Sequence, residues 1–177
     1  MKTNESALLI LDALEFASSR LKFEKTKNEE PFINHVVKVC SLLTTIGEVA
    51  NADIVRASIL FELITRTSIK EVDIRGRFGN NVCDYILELN NNQTPADVHL
   101  FPSQTQSDVN VIRLADLIAN VEMIMSNPPE GWDLERRKIY FNWAYKKVNE
   151  LKDANRKLEQ YFHCICQDQL ILAESIN

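Results

Sequence analysis

The sequence predicts an all-α fold, a single domain of about eight helices over residues 1–177. A chain of this length suits one domain and can bury a substantial core. Two observations predict the fold class. Glycine is scarce, at four residues among 177, although all-β proteins use it freely in turns. Apolar residues also recur every three or four positions along most of the chain, which is the spacing of a helical face.

Three helices are predicted in the first third of the chain. The first, over residues 5–22, carries leucine and alanine at helical spacing. A polar segment that ends at Pro31 separates it from the second helix, which begins at Asn34 and ends near Gly47. The third covers Ala52–Thr67, again with apolar residues three and four positions apart. These spacings place one apolar stripe on each helix.

Two shorter helices follow. Ser68–Phe78 is predicted as a helix because Gly79 stands directly after it, at the favoured position for a left-handed cap. Asn80 or Asn81 can cap the next helix, which continues to Leu89.

The last predicted elements are a loop and three long helices. Asn90–Gln106 is the loop, and its length is typical of a functional or mobile segment. Ser107–Ser126 is the most apolar helix, ended by Pro128-Pro129, and we expect it at the centre of the bundle. Helices over Asp133–Leu151 and Ala154–Ile176 complete the domain.

Composition and charge exclude several classes of protein. The formal net charge is −5, whereas a non-specific nucleic-acid binder needs a basic field. No apolar run approaches the roughly 20 residues of a membrane span, and the start of the chain does not match a secretory signal. Four scattered cysteines without a C-x-x-C pair predict free thiols in a reducing compartment. We therefore expect a cytoplasmic protein with no nucleic acid and no membrane partner.

Histidine and cysteine give little independent sign of chemistry. The three histidines are His35, His99 and His163. His163 begins the stretch His163–Cys166, but residues one or two apart on a helix point in different directions, so a metal site there is not favoured. His99 lies in the predicted loop, where a solvated side chain is the simplest interpretation.

Four stretches of sequence carry a family resemblance. They are Pro31–Val37, Ala57–Glu62, Arg77–Gly79 and Val111–Asn120. Their order and spacing resemble the HD-domain hydrolases of the RelA/SpoT family, and among these the metazoan SpoT homologues, a branch of small alarmone hydrolases. The resemblance continues almost to the end of the chain, through Pro129–Trp132, Tyr140–Ala144 and Asn155–Glu159.

This resemblance implies a manganese-dependent hydrolase that removes the 3′-pyrophosphate from ppGpp, with NADPH phosphatase activity in animal members. The family holds its metal with a His, an adjacent His-Asp pair and a distant Asp. A Glu-Asp pair further along positions and deprotonates the attacking water. In such a site the cation activates bound water and offsets phosphate charge, while a carboxylate takes the proton.

Carried over residue by residue, the resemblance implies a degenerate site. His35 matches the first ligand and Asp116 the last. Phe61-Glu62 stand where the family has His-Asp, and phenylalanine cannot bind a metal. Thr65 and Arg66 stand where the family has Glu-Asp, and neither can act as a base near neutral pH. The vestigial metal ligands are thus His35, Glu62 and Asp116, and no catalytic carboxylate is intact.

The substrate side implied by the resemblance is depleted as well. Lys25 remains from a basic stretch, but its neighbour is Glu24. No Lys or Arg occurs between Arg77 and Arg113, whereas the family has a basic segment there that faces the phosphates. Arg113 stands in place of a family Lys, and Asn120 matches a family pocket Asn. A polyphosphate ligand would find few charge-assisted donors.

The spacing of two residues suggests a replacement for the metal. Glu62 and Arg66 lie four positions apart on one predicted helix, with the acid first, which is the better orientation for an ion pair. If Asp116 lies beside them, Arg66 can supply the missing positive charge. The alternative is that Arg66 extends to solvent.

Three functions follow from these residues. The first is a pseudoenzyme that requires no cofactor and binds an unknown protein partner or a weak nucleotide ligand, as a monomer. The second is an active phosphohydrolase on ppGpp or NADPH, with manganese on His35, Glu62 and Asp116 and a water in the open position. The third is a folded remnant without activity. Fold alone does not decide among them.

Overall fold

The computed structural model describes residues 2–90 and 104–174. These residues form eight α-helices and, apart from one antiparallel bridge between Lys25 and Pro31, no β-structure. The predicted all-α class is confirmed. None of the described helices is long and apolar enough to cross a membrane. The helices are α1 (Lys2–Arg20), α2 (Phe32–Ser41), α3 (Ala52–Arg66), α4 (Glu71–Phe78), α5 (Asn80–Asn90), α6 (Gln104–Ser126), α7 (Leu134–Glu150) and α8 (Arg156–Glu174).

Helices α3 and α6 form the centre of the bundle. α3 packs against α1, α2, α5 and α6, and α6 also packs against α2, α5, α7 and α8. Every residue from Ile54 to Leu60 in α3 is buried. The middle of α6 buries Ile112, Leu114 and Ile118 completely. The apolar sequence of α6 thus corresponds to the central position expected for it.

The second predicted helix is not α-helical throughout. α2 ends at Ser41 and continues as a π-helical turn, Leu42–Ile46. The hydroxyls of Thr44 and Thr45 donate to backbone carbonyls one turn earlier, at 2.9 and 2.7 Å. Such side-chain bonds compete with the regular ladder and bend helices. The turn ends at Gly47, as predicted.

The short helix α4 begins at Glu71, three residues later than predicted. The Thr67 hydroxyl accepts a hydrogen bond from the Ile69 N–H at 3.1 Å, which keeps this segment in a turn. The Asp73 carboxylate accepts one from the Lys70 N–H at 2.9 Å, and this bond starts the helix at the following residue.

The junction of α4 and α5 also differs from the prediction. Gly79 has φ +90° and ψ 172°, which is an extended backbone with positive φ that essentially only glycine adopts, and not the left-handed cap. α5 begins directly at Asn80. Its neighbour Asn81 donates from its amide to Asp53 at 3.3 Å, and the Asn80 amide oxygen accepts from Arg75 at 3.2 Å. Both asparagines therefore lie inside the first turn of α5, and neither occupies the N-cap position predicted for it.

The predicted loop is shortened at its end by α6, which begins at Gln104. The rest of that loop, with His99, lies outside the described residues. α7 begins as predicted, because Asp133 caps it by accepting a hydrogen bond from the Arg136 N–H at 2.8 Å. α8 begins two residues late because Asn155 caps it, accepting from two backbone N–H groups at 3.1 Å.

Three of these helices position the candidate site. Pro31 ends the first connecting segment, so His35 lies in the first turn of α2. The last turns of α3 carry the segment from Phe61 to Arg66. The middle of α6 carries Asp116 and Asn120. Since α2, α3 and α6 contact one another, residues distant in sequence converge on one region.

Candidate functional site

The first feature of the site is a hydrogen-bonded pair across α2 and α6. The Nε2 atom of His35 lies 2.8 Å from Oδ1 of Asp116. The Asn120 amide donates to the other carboxylate oxygen of Asp116 at 3.1 Å and to its backbone carbonyl at 2.9 Å. The His35 side chain is only 8% exposed. Both oxygens of Asp116 therefore have protein partners in a largely buried environment.

The second feature is an ion pair within α3. Nε of Arg66 lies 2.8 Å from a carboxylate oxygen of Glu62. The guanidinium also covers the Phe32 ring, with its carbon 3.7 Å from the ring centroid. Arg66 is thus held on one side by charge and on the other by a cation–π contact. The predicted pairing of Glu62 with Arg66 is confirmed, and the Arg66 side chain remains 33% exposed.

Phe61 and Thr65, the two remaining positions of α3, provide neither a metal ligand nor a catalytic base. Phe61 is partly buried and packs against the hydrophobic core. The Thr65 hydroxyl donates to the backbone carbonyl of Glu62 at 3.1 Å and to its carboxylate at 3.3 Å. The second hydrogen bond supports the Glu62–Arg66 ion pair. A threonine hydroxyl does not act as a base near neutral pH.

These side chains do not fit a metal ion. Within residues 2–90 and 104–174, no three or more His, Cys, Asp or Glu side chains group in a way that could hold one. The candidate ligands are instead bonded as two separate pairs, His35 with Asp116 and Glu62 with Arg66. Arg66 supplies its positive charge to Glu62, while the hydrogen-bond partners of the Asp116 carboxylate are His35 and Asn120.

A small cavity of about 140 Å³ opens between the two pairs. Its wall includes Lys27, Arg66, Trp132 and Tyr140, as well as His35. Burial and then the charge of Asp116 raise the pKa of Tyr140 to about 12, so its phenol stays protonated at neutral pH. In the sequence, Trp132 and Tyr140 belong to stretches that carry the family resemblance, but their spacing predicts no role in the site for either residue.

A larger cavity of about 540 Å³ lies beside it. The two cavities share Thr26, His35 and Met123 in their walls. On the far side, Glu122 accepts hydrogen bonds from Lys38 at 3.1 Å and from the Tyr161 hydroxyl at 2.6 Å. This bond and burial raise the pKa of Tyr161 to about 12. The larger cavity is therefore bordered by a network that joins α2, α6 and α8.

The comparisons with known proteins agree with this fold. No family model matches the chain. Proteins named guanosine-3′,5′-bis(diphosphate) 3′-pyrophosphohydrolase MESH1 are similar over most of it. The Xenopus tropicalis protein is 27% identical over 94% of this chain and 97% of its own length, and the Homo sapiens protein 27% identical over 87% and 90%. The Drosophila melanogaster protein is also 27% identical, over 84% of this chain and 88% of its own length. The chain is therefore similar to these hydrolases over most of its length.

A solved structure of this group shares the fold. It is described as a metazoan ortholog of SpoT that hydrolyzes ppGpp and plays a role in starvation responses, and it covers 91% of this chain with a TM-score of 0.75 at 24% identity. This chain therefore shares that architecture, while its site holds the Glu62–Arg66 ion pair and the His35–Asp116 hydrogen bond.

The substrate-side positions that the resemblance implies are dispersed in this chain. Lys25 forms an exposed ion pair with Glu29 at 2.8 Å and does not line the small cavity. The next two residues, Thr26 and Lys27, line it instead. Arg113 donates to the backbone carbonyl of Glu88 at 2.9 Å, and burial lowers the pKa of its guanidinium. Of the three predicted pocket residues, Asn120 lines the small cavity.

The cysteine-containing stretch of α8 has a structural role. The His163 ring lies against the Tyr145 ring, with centroids 5.2 Å apart. Cys166 is buried, and burial raises its pKa to about 11, so it is a protonated thiol. All four cysteines are free thiols. The stretch thus contributes a ring contact with α7 and a buried thiol to the packing of α8.

Proposed function

We propose that this chain has lost metal-dependent pyrophosphohydrolysis and acts by binding, as a pseudoenzyme. One observation carries the proposal: the guanidinium of Arg66 lies 2.8 Å from the carboxylate of Glu62. A positive side chain thus occupies the position at which the family resemblance implies a carboxylate. The same arginine is bonded to the one residue of the expected His-Asp pair that could still ligate a cation.

This arrangement affects both the binding of a cation and the general base catalysis that the resemblance implies. A divalent cation would approach a guanidinium of like charge, and it would have to displace Arg66 from Glu62 and His35 from Asp116. General base catalysis by a positioned carboxylate contributes typically about 10²–10⁴-fold to rate, and Thr65 and Arg66 supply none of it. The combined loss takes turnover below detection.

The binding role is supported by the cavities that remain. The small cavity presents Lys27 and Arg66, and the larger one offers room for the body of a small ligand. A weak nucleotide ligand or a protein partner fits this description, with the chain acting as a cytoplasmic monomer. The net charge of −5 does not favour nucleic acid.

Metal content is the first experiment. The purified chain is incubated with manganese(II), freed of excess ion by gel filtration and analysed for metal, with Asp116→Ala as the control. Hydrolysis of guanosine-3′,5′-bis(diphosphate) and of NADPH is measured on the same samples. We expect no stoichiometric metal and no turnover. One manganese per chain that is lost in Asp116→Ala, together with turnover, would instead establish the active site on His35, Glu62 and Asp116.

A variant that restores the family's residues at positions 61, 62, 65 and 66 tests whether these side chains alone prevent metal binding. Because the chain lacks Lys and Arg between Arg77 and Arg113, restoring the site should recover manganese binding more fully than hydrolysis. Circular dichroism serves as the folding control. Failure of the folded variant to bind manganese would show that more than these side chains separates the site from a metal centre. The variant combines Phe61→His, Glu62→Asp, Thr65→Glu and Arg66→Asp.

A further inference from the structure

The side chain of Arg66 has unused hydrogen-bonding capacity. Its Nε donates to Glu62 at 2.8 Å, and its guanidinium plane lies on the Phe32 ring. Among the described residues, its two terminal amino groups make no hydrogen bond, while the residue lines the small cavity. An arginine fixed in this way presents a planar fork of N–H donors, the geometry that matches an oxyanion.

The rest of the small cavity wall also consists mainly of donors. Lys27 contributes an ammonium that has no ion pair with any described residue, and Thr26 contributes a hydroxyl. The Tyr140 phenol keeps its proton at neutral pH. Among the residues that the structure describes, no Asp or Glu lines this cavity. Donors without a facing carboxylate select an acceptor-rich, negatively charged ligand.

The surroundings favour binding of such a ligand without a cation. Phe32, Trp132 and Tyr140 form an aromatic wall, and a low local dielectric strengthens hydrogen bonds to a charged group. The carboxylates of Glu62 and Asp116 are already bonded to Arg66 and His35. Their repulsion of an incoming anion is thereby reduced.

We propose that the small cavity is a metal-free oxyanion site in which Arg66 and Lys27 hold the phosphate group of a small phosphate monoester. The proposal rests on the proposed function, because a divalent cation at Glu62 would displace Arg66. A volume of about 140 Å³ equals that of roughly five waters at about 30 Å³ each. It suits one phosphate group, and the organic part of the ligand extends past His35 into the larger cavity.

Inorganic phosphate is the probe for this site. Trp132 lies in the cavity wall, so its fluorescence reports occupancy, and a Trp143→Phe background removes the second tryptophan. Phosphate is titrated in buffer freed of metal by a chelating resin, with potassium chloride at equal ionic strength as reference. We expect a saturable change in the millimolar range, and none with chloride. Absence of a saturable change would overturn the proposal.

The variants test which residue binds. Arg66→Gln should weaken phosphate binding by at least about tenfold, the usual effect of losing charge-assisted hydrogen bonds, and Arg66→Lys should lie between. Arg75→Gln is the matched control, because Arg75 pairs with Glu71 four positions earlier, at 2.8 Å, in a helix away from the cavity. Equal binding by Arg66→Gln and Arg75→Gln would refute the site.

Manganese distinguishes failure of this inference from failure of the proposed function. Phosphate binding that appears only after manganese is added would refute both. Absence of both phosphate binding and bound manganese would refute the oxyanion site alone. Phosphate binding that is unchanged by manganese and lost in Arg66→Gln supports both proposals.

Discussion

Removal of the Arg66 guanidinium should destabilise the fold by a measurable amount. The Arg66 and Glu62 side chains are 33% and 24% exposed, so their ion pair is worth about 0.5–1 kcal/mol at this partly covered site. The contact with Phe32 adds roughly 0.5–1 kcal/mol. Arg66→Gln should therefore lower the free energy of unfolding by about 1–2 kcal/mol.

A double-mutant cycle separates these two contributions. Urea unfolding at pH 7 is measured for the wild type, Glu62→Gln, Arg66→Gln and the double variant, and the coupling energy isolates the ion pair. We expect a coupling of about 0.5–1 kcal/mol that shrinks in 1 M salt. The pair of Glu71 and Arg75 has the same spacing and a more exposed acid, at 50%, so its coupling should be smaller.

The coupling energy tests whether Arg66 compensates the negative charge of Glu62. A coupling near zero, or an Arg66→Gln variant more stable than the wild type, would show that the guanidinium does not compensate the Glu62 charge. The account of the site as closed by its own side chains would then be refuted. Equal couplings in the two pairs would show that the site pair is an ordinary surface pair.

Three further predictions concern packing, pH and a helix cap. Gly47→Ala should cost about 1–3 kcal/mol in urea unfolding, because the added Cβ would lie 3.2 Å from a methyl carbon of Leu158; an unchanged midpoint would contradict this. The Tyr140 pKa is raised to about 12 by burial and the Asp116 charge, so its contribution to stability is full below its ordinary pKa of about 10 and is lost as pH rises through 12. Unfolding curves across this range should show a smaller loss for Tyr140→Phe, and equal losses would refute it. Asp133→Ala removes the cap of α7 and should cost about 1 kcal/mol, with Asp133→Asn as the control that retains most of the stability.

The sequence predicts well those features that depend on neighbours along the chain. Glycine scarcity and apolar spacing predicted the helices, and spacing of four positions predicted the Glu62–Arg66 pair. Each of these depends on the geometry of one helix. The meeting of His35 with Asp116 depends on three-dimensional packing, and only the family resemblance brought these two residues together in advance.

Features set by irregular backbone could not be predicted. Lys25 was expected in the pocket, but the bridge to Pro31 and the pair with Glu29 hold it outside, and Thr26 and Lys27 line the cavity instead. A segment without helical or strand periodicity gives no rule for which of two adjacent side chains faces inward. The direction of Arg113 has a different origin, because it lies in the regular helix α6 and its carbonyl partner in α5 depends on how these two helices pack.

The two pairs at the site differ in when they can form during folding. Glu62 and Arg66 are separated by one turn of α3, so their contact closes almost no loop and can appear with the helix itself. His35 and Asp116 are 81 positions apart, so their contact requires closure of a long loop and the docking of α2 on α6. Substitutions in the first pair should change the folding rate if α3 belongs to the folding nucleus. Substitutions in the His35–Asp116 pair should mainly change the unfolding rate, so this pair slows the unfolding of the native state.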